Sequence, residues 1–489
     1  MASKLLSKSK YLNGIQCPRL LWFSVNCPSD MPEPDAATQH IFDQGHLVGE
    51  LAKKLFPEGI DVPQESFIGN IQETKKMLNL GKPLFEAAVM FKRLYARSDI
   101  LYPANDYEWD IIEVKSSTSV KDINIHDLAF QKFCWEISGL KIRKTILVYI
   151  NNEYIKNGEI IPEELFTLED VSDAVQEIYG CTEEKIVKML QIMNLSESPE
   201  IYLGSHCNDP YPCALIDNCW GEMPEDNVFT LYYGGKKSAA LYDSGIMEIG
   251  DIPDGFTLSD KQLIQKDSVV NNNVHIQKDE IKDFLNLLEY PLYYLDFETF
   301  NTAVPIYDGT RPYQQIPFQF SLHVQESPNT ELKHYWYLAE GNEDPRLGFI
   351  TALYELIGNN GTVVAYNKCF EEKILKSLGE AFPKYQEWVD LLLPRFIDLW
   401  GPFRSFYYYH PEQRGSTSLK KVLPSITDIS YDGMEIAQGD DASLAFLQIL
   451  FGDLTDAEKD GIRENLLKYC ERDTEAMAEI IAKLYRLAE

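Results

Sequence analysis

Residues 98–117, Ser-Asp-Ile-Leu-Tyr-Pro-Ala-Asn-Asp-Tyr-Glu-Trp-Asp-Ile-Ile-Glu-Val-Lys-Ser-Ser, read as a β-hairpin that carries chemistry. Asp99 opens a short apolar run, and a polar turn with Pro103, Asn105 and Asp106 follows. A second strand-like run from Trp109 to Val114 then delivers Glu113 and Lys115. Strand alternation puts these two on one face and Val114 on the other. Carboxylates on adjacent hairpin strands can share a divalent cation, and their oxygens suit Mg²⁺ or Mn²⁺. An ammonium beside them can orient a water or steady a developing phosphorane. Exposed strands also carry Glu and Lys for solubility alone, so the neighbouring segments decide the reading.

Upstream, Ile41 to Phe56 has apolar residues at helical spacing, with His46 near its start after Gly45. Taken alone, a helical His is more often a structural hydrogen-bonder than a metal ligand. Downstream, about Asn124 to Ser138 reads as a helix on which Gln131 and Trp135, four apart, share a face. Arg143 to Ile150 follows as a buried strand, and helix, strands, helix, strand make an α/β core. Cysteines bracket this core. Cys17 precedes Pro18, and the turn-rich segment 204–220 holds Cys207, Cys213 and Cys219. That segment has few apolar residues for a core of its own, and thiolates there suit Zn²⁺ or an Fe–S cluster. The long spacings, unlike the paired Cys-x-x-Cys of zinc ribbons, favour Fe–S. Cys17 is the natural fourth ligand, with Cys27 and His206 as rivals.

His46, Asp99, Glu113-Val114-Lys115 and Gln131-x-x-x-Trp135, with one Cys before and three after, resemble the iron–sulfur branch of the RecB-like PD-(D/E)XK nucleases. The resemblance covers about residues 5–222. It implies Mg²⁺ or Mn²⁺ held by His46, Asp99, Glu113 and the Val114 carbonyl, with Lys115 at the attacking water and Gln131 near DNA. It also implies a [4Fe-4S] cluster on Cys17, Cys207, Cys213 and Cys219, structural Zn²⁺ being the alternative. Trp135 stands where the family usually has Tyr, and a Cys-x-x-Cys pair is absent from the sequence.

Residues 223–288 change character. Lys236 to Pro253 reads as helix, Gly turn and short helix, and is similar to one helix-hairpin-helix unit whose turn amides hold a DNA phosphate. A plain linker hairpin reads equally well, and Asn271 to Asn273 look like polar linker. Then Tyr290 to Phe300 is an apolar strand with Asp296 and Glu298 on one face, costly to bury unless they bind metal or pair. Gln315–Val324 and Glu331–Leu338 continue the sheet. Gly361 begins another strand, which leads to Asn367 and Glu371 as a helix starts, and Phe396–Leu399 brings Asp398. On the last helix Tyr469 and Asp473 lie one turn apart.

Asp296-x-Glu298, Glu371 and Tyr469-x-x-x-Asp473 resemble the DEDD exonucleases of the ribonuclease H-like superfamily, tyrosine subtype, over about residues 289–489. This implies two metals on Asp296, Glu298, Glu371 and Asp473, with Tyr469 orienting the water. Glu371 replaces the usual Asp, and Asp398 is the fallback ligand. Lys420 and Lys421 are candidates for phosphate contact. Both halves together resemble an uncharacterised bacterial family of RecB-like nucleases with a C-terminal ribonuclease H-like domain.

At 489 residues the chain is too long for one core. We expect a nuclease domain at 1–222, a small helical linker at 223–288 and an exonuclease-like domain at 289–489. A net charge of -31 argues against a nonspecific nucleic-acid coat, yet leaves room for metal-binding carboxylates beside a local basic groove. Nine cysteines, an odd number, speak against a disulfide framework. The sequence has no run of about 18 apolar residues, and its start has no signal-like apolar core. The expectation is a cytoplasmic, metal-dependent DNA nuclease with no membrane association, acting on single strands or free ends in repair, recombination or defence. A nucleic-acid-binding scaffold with one inactive half and an RNA-directed exonuclease are the alternatives.

Overall fold

In the computed structural model, which describes residues 4–489, the 98–117 hairpin is the centre of a seven-stranded sheet. Its strands are β1 Leu6–Ser7, β2 Ile60–Asp61, β3 Leu84–Phe91, β4 Leu94–Pro103, β5 Glu108–Lys115, β6 Lys141–Ile150 and β7 Phe166–Asp170. They lie in the order β2-β3-β4-β5-β6-β7, with β1 paired in parallel with β4. The helix Asp122–Ile137 crosses from β5 to β6, which run parallel. Ile111 packs with Leu128 and Phe130 of that helix, whereas Ile112 packs with Val48 and Ala52 of the helix Ala36–Lys53. Alternation therefore turns Glu113 to the Asp122–Ile137 side, where it is 1% exposed.

The β3–β4 ladder departs from regular alternation at one place. Pairing runs Phe85 with Ile100 and then Ala87 with Ser98, skipping Glu86 and Asp99, and Glu86 has φ +57°. Phe85 and Ile100 share the core with Val48, but Ala87 lies in the core of the opposite face. A local switch of face at Asp99 is what frees its carboxylate from the pleat.

The chain forms two compact units. One comprises Met1–Glu222 with Thr302–Gln314, the other Met223–Asn301 with Gln315–Glu489. The 302–314 segment, read from sequence as part of the last domain, belongs to the first unit. Its Ala303 and Val304 are buried with Val48 and Ile112, because the segment is an apolar excursion that finds its core there.

The second unit has a ribbon of β8 His275–Ile276 with β14 Tyr408–Tyr409. Its main sheet contains β9 Leu292–Phe300, β10 Ile316–Gln325, β11 Lys333–Leu338, β12 Thr362–Ala365 and β13 Phe396–Asp398. The order is β11-β10-β9-β12-β13. β10 is antiparallel to both β11 and β9, and β12 and β13 run parallel to β9. Tyr293, Leu295 and Phe297 pack with Phe320, Leu322 and Phe349 on one face. The other face presents Asp296, Glu298, Ser321 and His323 to the final helix, Asp456–Ala488. That helix is tied down by hydrogen bonds such as Gln319 Nε2 to the Leu466 carbonyl at 2.8 Å.

Residues 223–288 belong to this unit instead of standing apart as a linker. They have a small core of Val228, Leu231, Leu241, Ile249 and Ile252. After the helix Lys236–Asp243 and the turn at Gly245, a 3₁₀ turn at Ile249–Asp251 follows in place of a paired α-helix. Asn271 ends the helix Asp260–Asn271, and Asn272 takes the left-handed conformation that stops it. Gly415, at φ +72°, sits where a Cβ would lie 1.9 Å from the Thr230 carbonyl, so close packing requires glycine there. Among the described residues no helix is long and apolar enough to cross a membrane.

Candidate metal centres

A cleft of about 700 Å³ in the first unit is lined by Lys8, His46, Asp99, Glu113, Val114 and Lys115, among others. Asp99 Oδ2 accepts the Val114 N–H at 2.8 Å, at the point where the β4–β5 ladder ends. Lys115 Nζ donates to Glu113 Oε1 at 2.6 Å and to Asp127 Oδ2 at 2.9 Å. Gln131 Nε2 donates to Glu113 Oε2 (2.7 Å) and Asp127 Oδ1 (2.8 Å), while its Oε1 accepts from Ser98 Oγ at 2.6 Å. Trp135 Nε1 donates to the same Ser98 oxygen at 3.0 Å, so the Gln131–Trp135 face locks the strand to the helix. His46 is exposed on the cleft wall.

Lys8 and Asp127 were not singled out in the sequence. Lys8 Nζ lies 2.8 Å from Glu113 Oε1 and 3.9 Å from both Asp99 Oδ1 and Asp127 Oδ2. Burial opposes charge on Lys8 and Lys115, but Asp127, Glu113 and Asp99 together raise both lysines well above the ordinary range. Burial likewise opposes the charge on Glu113, yet Lys115 and Lys8 hold it well below the usual carboxylate range. Burial and the Glu113 charge push Asp99 up to about 7. One ammonium thus stands among oxygens that a divalent cation would also suit. Asp127, one turn before Gln131, had a legible signal in that spacing. Lys8 had none.

In the second unit Asp296, Glu298 and Cys470 each bring a ligand-type atom within 4.8 Å of the others. The Cys470 thiol is pushed far up by burial and by Asp296, so it serves as a weak donor to Asp296 Oδ2, 3.7 Å away. Asp473 accepts from Tyr431 Oη at 2.5 Å, and Tyr469 hydrogen-bonds to it as well. Lys420 Nζ faces the rings of Tyr469 (5.0 Å) and Tyr431 (5.7 Å), and its charge favours ionised Glu298 and Asp473. Burial raises Asp473 to about 6, and burial with the Asp473 charge raises Asp296 and Glu298 well above the usual range. Glu371, 2% exposed, has Oε2 buried without a hydrogen-bond partner, and burial pushes it up to about 8. An orphaned carboxylate oxygen on a residue whose charge reaches Asp296 and Glu298 fits a divalent cation. Asp398 Oδ1 instead accepts the N–H groups of Asn367 (2.9 Å) and Trp400 (3.0 Å), a backbone-capping role.

The cysteines come from both ends of the first unit. Cys17, Cys213 and Cys219 share one apolar cluster, and Cys207 is close enough to raise the Cys17 and Cys213 thiols further. Burial is the largest effect on Cys17, opposed by the N–H groups of Leu20 and Arg19 pointing at its sulfur from the start of the helix Pro18–Asn26. The Leu215 N–H does the same for Cys213, and Arg19 Nη1 lies 3.8 Å from Cys219 Sγ. His206 Nε2 is 3.7 Å from Cys207 Sγ. Cys27, the other rival, caps the far end of the Pro18–Asn26 helix. Four neighbouring sulfurs, three of them with N–H donors aimed at them, fit a thiolate-bound metal centre.

Comparison with known proteins reaches part of the chain. Residues 293–418 match a family described as "Domain of unknown function (DUF2779)", a stretch that holds Asp296, Glu298 and Glu371 and ends before Tyr469 and Asp473. The chain is 28% identical over 206 residues to "Uncharacterized protein MG366 homolog" of Mycoplasma pneumoniae, covering 38% of this chain and 31% of that relative. It is 27% identical over 221 residues to "Uncharacterized protein MG366" of Mycoplasma genitalium, covering 41% and 33%. "Uncharacterized protein UU173" of Ureaplasma parvum is 23% identical over 241 residues, covering 43% and 33%. The matched region spans about a third of the length of these relatives.

Proposed function

We propose that the chain is a metal-dependent nuclease that hydrolyses DNA phosphodiesters at free ends or in single strands, with one candidate site in each unit. The observation that carries this reading is the buried acidic group of Asp296, Glu298, Glu371 and Asp473, of which Glu371 keeps an unpaired oxygen. Buried carboxylates so arranged are costly without a cation. Bound Mg²⁺ or Mn²⁺ would supply Lewis acidity and lower the pKa of water. Tyr469 and Tyr431 fix Asp473, and Lys420 supplies positive charge that favours ionised Asp473 and Glu298. In the first unit Asp99 and Glu113 would hold the cation, with Gln131 and Asp127 orienting Glu113 and Lys115.

The finer architecture belongs to the same proposal. A sheet of three antiparallel strands followed by two parallel ones, with acids on its first strand, supports a ribonuclease H-like second unit. The Asp99 and Glu113-x-Lys115 hairpin beside a Gln131 helix supports a PD-(D/E)XK core. Cys17, Cys207, Cys213 and Cys219 would hold a [4Fe-4S] cluster, with structural Zn²⁺ as the alternative. The test is cleavage of end-labelled single-stranded DNA by anaerobically purified protein in Mg²⁺ or Mn²⁺, comparing wild type with Lys115→Ala and Asp296→Ala. Loss in either variant supports the reading and assigns the working site. Equal digestion by all three proteins overturns it.

A further inference from the structure

A second group of metal-ligating side chains lies outside both acidic centres. His323 on β10, His334 on β11 and Glu471 on the final helix each bring one ligand atom within 4.8 Å of the others. The two histidines are direct cross-strand partners, their rings stacked 4.4 Å apart at 20°. His334 Nδ1 lies 3.3 Å from Glu471 Oε1.

A hydroxyl stands behind each ring. Thr474 Oγ1 lies 2.8 Å from His323 Nδ1, 2.7 Å from Ser321 Oγ and 3.1 Å from the Glu471 carbonyl. Ser321 Oγ lies 2.9 Å from His334 Nε2. Each imidazole thus engages a hydroxyl through one ring nitrogen. The other nitrogens, His323 Nε2 and His334 Nδ1, are the ones a metal ion would use, in the tautomer whose inward N–H groups donate to those hydroxyls. Burial lowers the proton affinity of both rings, His323 to about 4, although Glu471 and Glu475 act the other way on His334. The two imidazoles and the Glu471 carboxylate face one another.

We propose that His323, His334 and Glu471 form a binding site for a divalent transition-metal ion of the zinc class, with a further position open to solvent. Two imidazoles and one carboxylate are a donor set for such an ion, whereas the all-carboxylate group next to it suits Mg²⁺ or Mn²⁺. Ser321 and Thr474 are the hydroxyls that hold the ligands in place, the outer shell such sites need. The Glu471 side chain is 48% exposed, so the ion has an entry path. Ser321 is the cross-strand partner of Asp296, and Thr474 follows Asp473, so the ion would brace the strand and helix that carry those acids.

The test uses the full chain, stripped with chelator and titrated with Zn²⁺ alone, with bound zinc counted after desalting. Because the cysteines also take zinc, wild type is compared with Glu471→Gln and His334→Gln, and cysteine occupancy is followed separately by thiol reactivity. Glu471 is on the surface, so its replacement leaves the core intact. Each variant is expected to lose one equivalent of zinc, or to bind that equivalent at least tenfold more weakly, with thiol protection unchanged. The same zinc content and affinity in all three proteins overturns the site and leaves His334 and Glu471 as a plain ion pair.

Discussion

Glu371 and Lys8 show how much one side chain controls in these centres. Glu371 binds its proton more tightly folded than unfolded, so its burial lowers stability progressively as pH rises from about 4.5 to about 8. Glu371→Gln is therefore expected to stabilise the metal-free protein at pH 8 by about 2–4 kcal/mol while abolishing cleavage at the second site. Thermal melts at pH 5 and pH 8 check the sign, since the gain should shrink at the lower pH. Lys8 occupies the position between Asp99 and Glu113 that a cation would take. Lys8→Met should tighten Mn²⁺ binding at the first site, by about tenfold if the lost repulsion is about 1.4 kcal/mol. Calorimetric titration of the stripped protein measures this, and weaker binding would contradict it. Glu371 was legible from its place after a buried strand, but Lys8 lies in a serine- and lysine-rich start with no periodic signal.

At the scale of elements, the cysteines join the two ends of the first unit, beside contacts such as Trp22 Nε1 to the Leu195 carbonyl at 3.0 Å. The N–H groups at the start of the Pro18–Asn26 helix point at Cys17, so they would favour its thiolate against burial if Cys17 is a ligand. Cys17→Ala is expected to lose the bound cluster, read as visible absorbance of anaerobic protein, and to lower the melting temperature. The strands and helices themselves were largely legible from periodicity, including β5, β9 and the helix Asp122–Ile137. The change of face at Glu86 and Asp99 was not, because pleat alternation is a property of one strand and the skipped pair needs two. The turn after Gly245 misled for a related reason. Gly marks the end of a helix, but only packing decides whether the next segment is another α-helix or a single 3₁₀ turn.

For the whole molecule, a net charge of -31 means that nucleic acid is repelled unless cations offset both surfaces. Binding of labelled single-stranded DNA should therefore be markedly stronger in Ca²⁺, used to hold substrate without the Mg²⁺ chemistry, than in chelator. Anisotropy titrations read this directly. Unchanged binding would mean that a basic surface, not a metal, does the recruiting. Residue types and short spacings were settled by sequence: Glu113-x-Lys115 on one strand face, Asp296-x-Glu298 on another, and Gln131 with Trp135 on a helix, because strand and helix periods are local. Tertiary structure alone decided that Lys8 joins the first group, that Tyr431 joins the second, and that His323, His334 and Glu471 meet. Each of those contacts links separate segments, and the force that brings them together is burial of apolar faces, which fixes position without regard to the polar residues it happens to align.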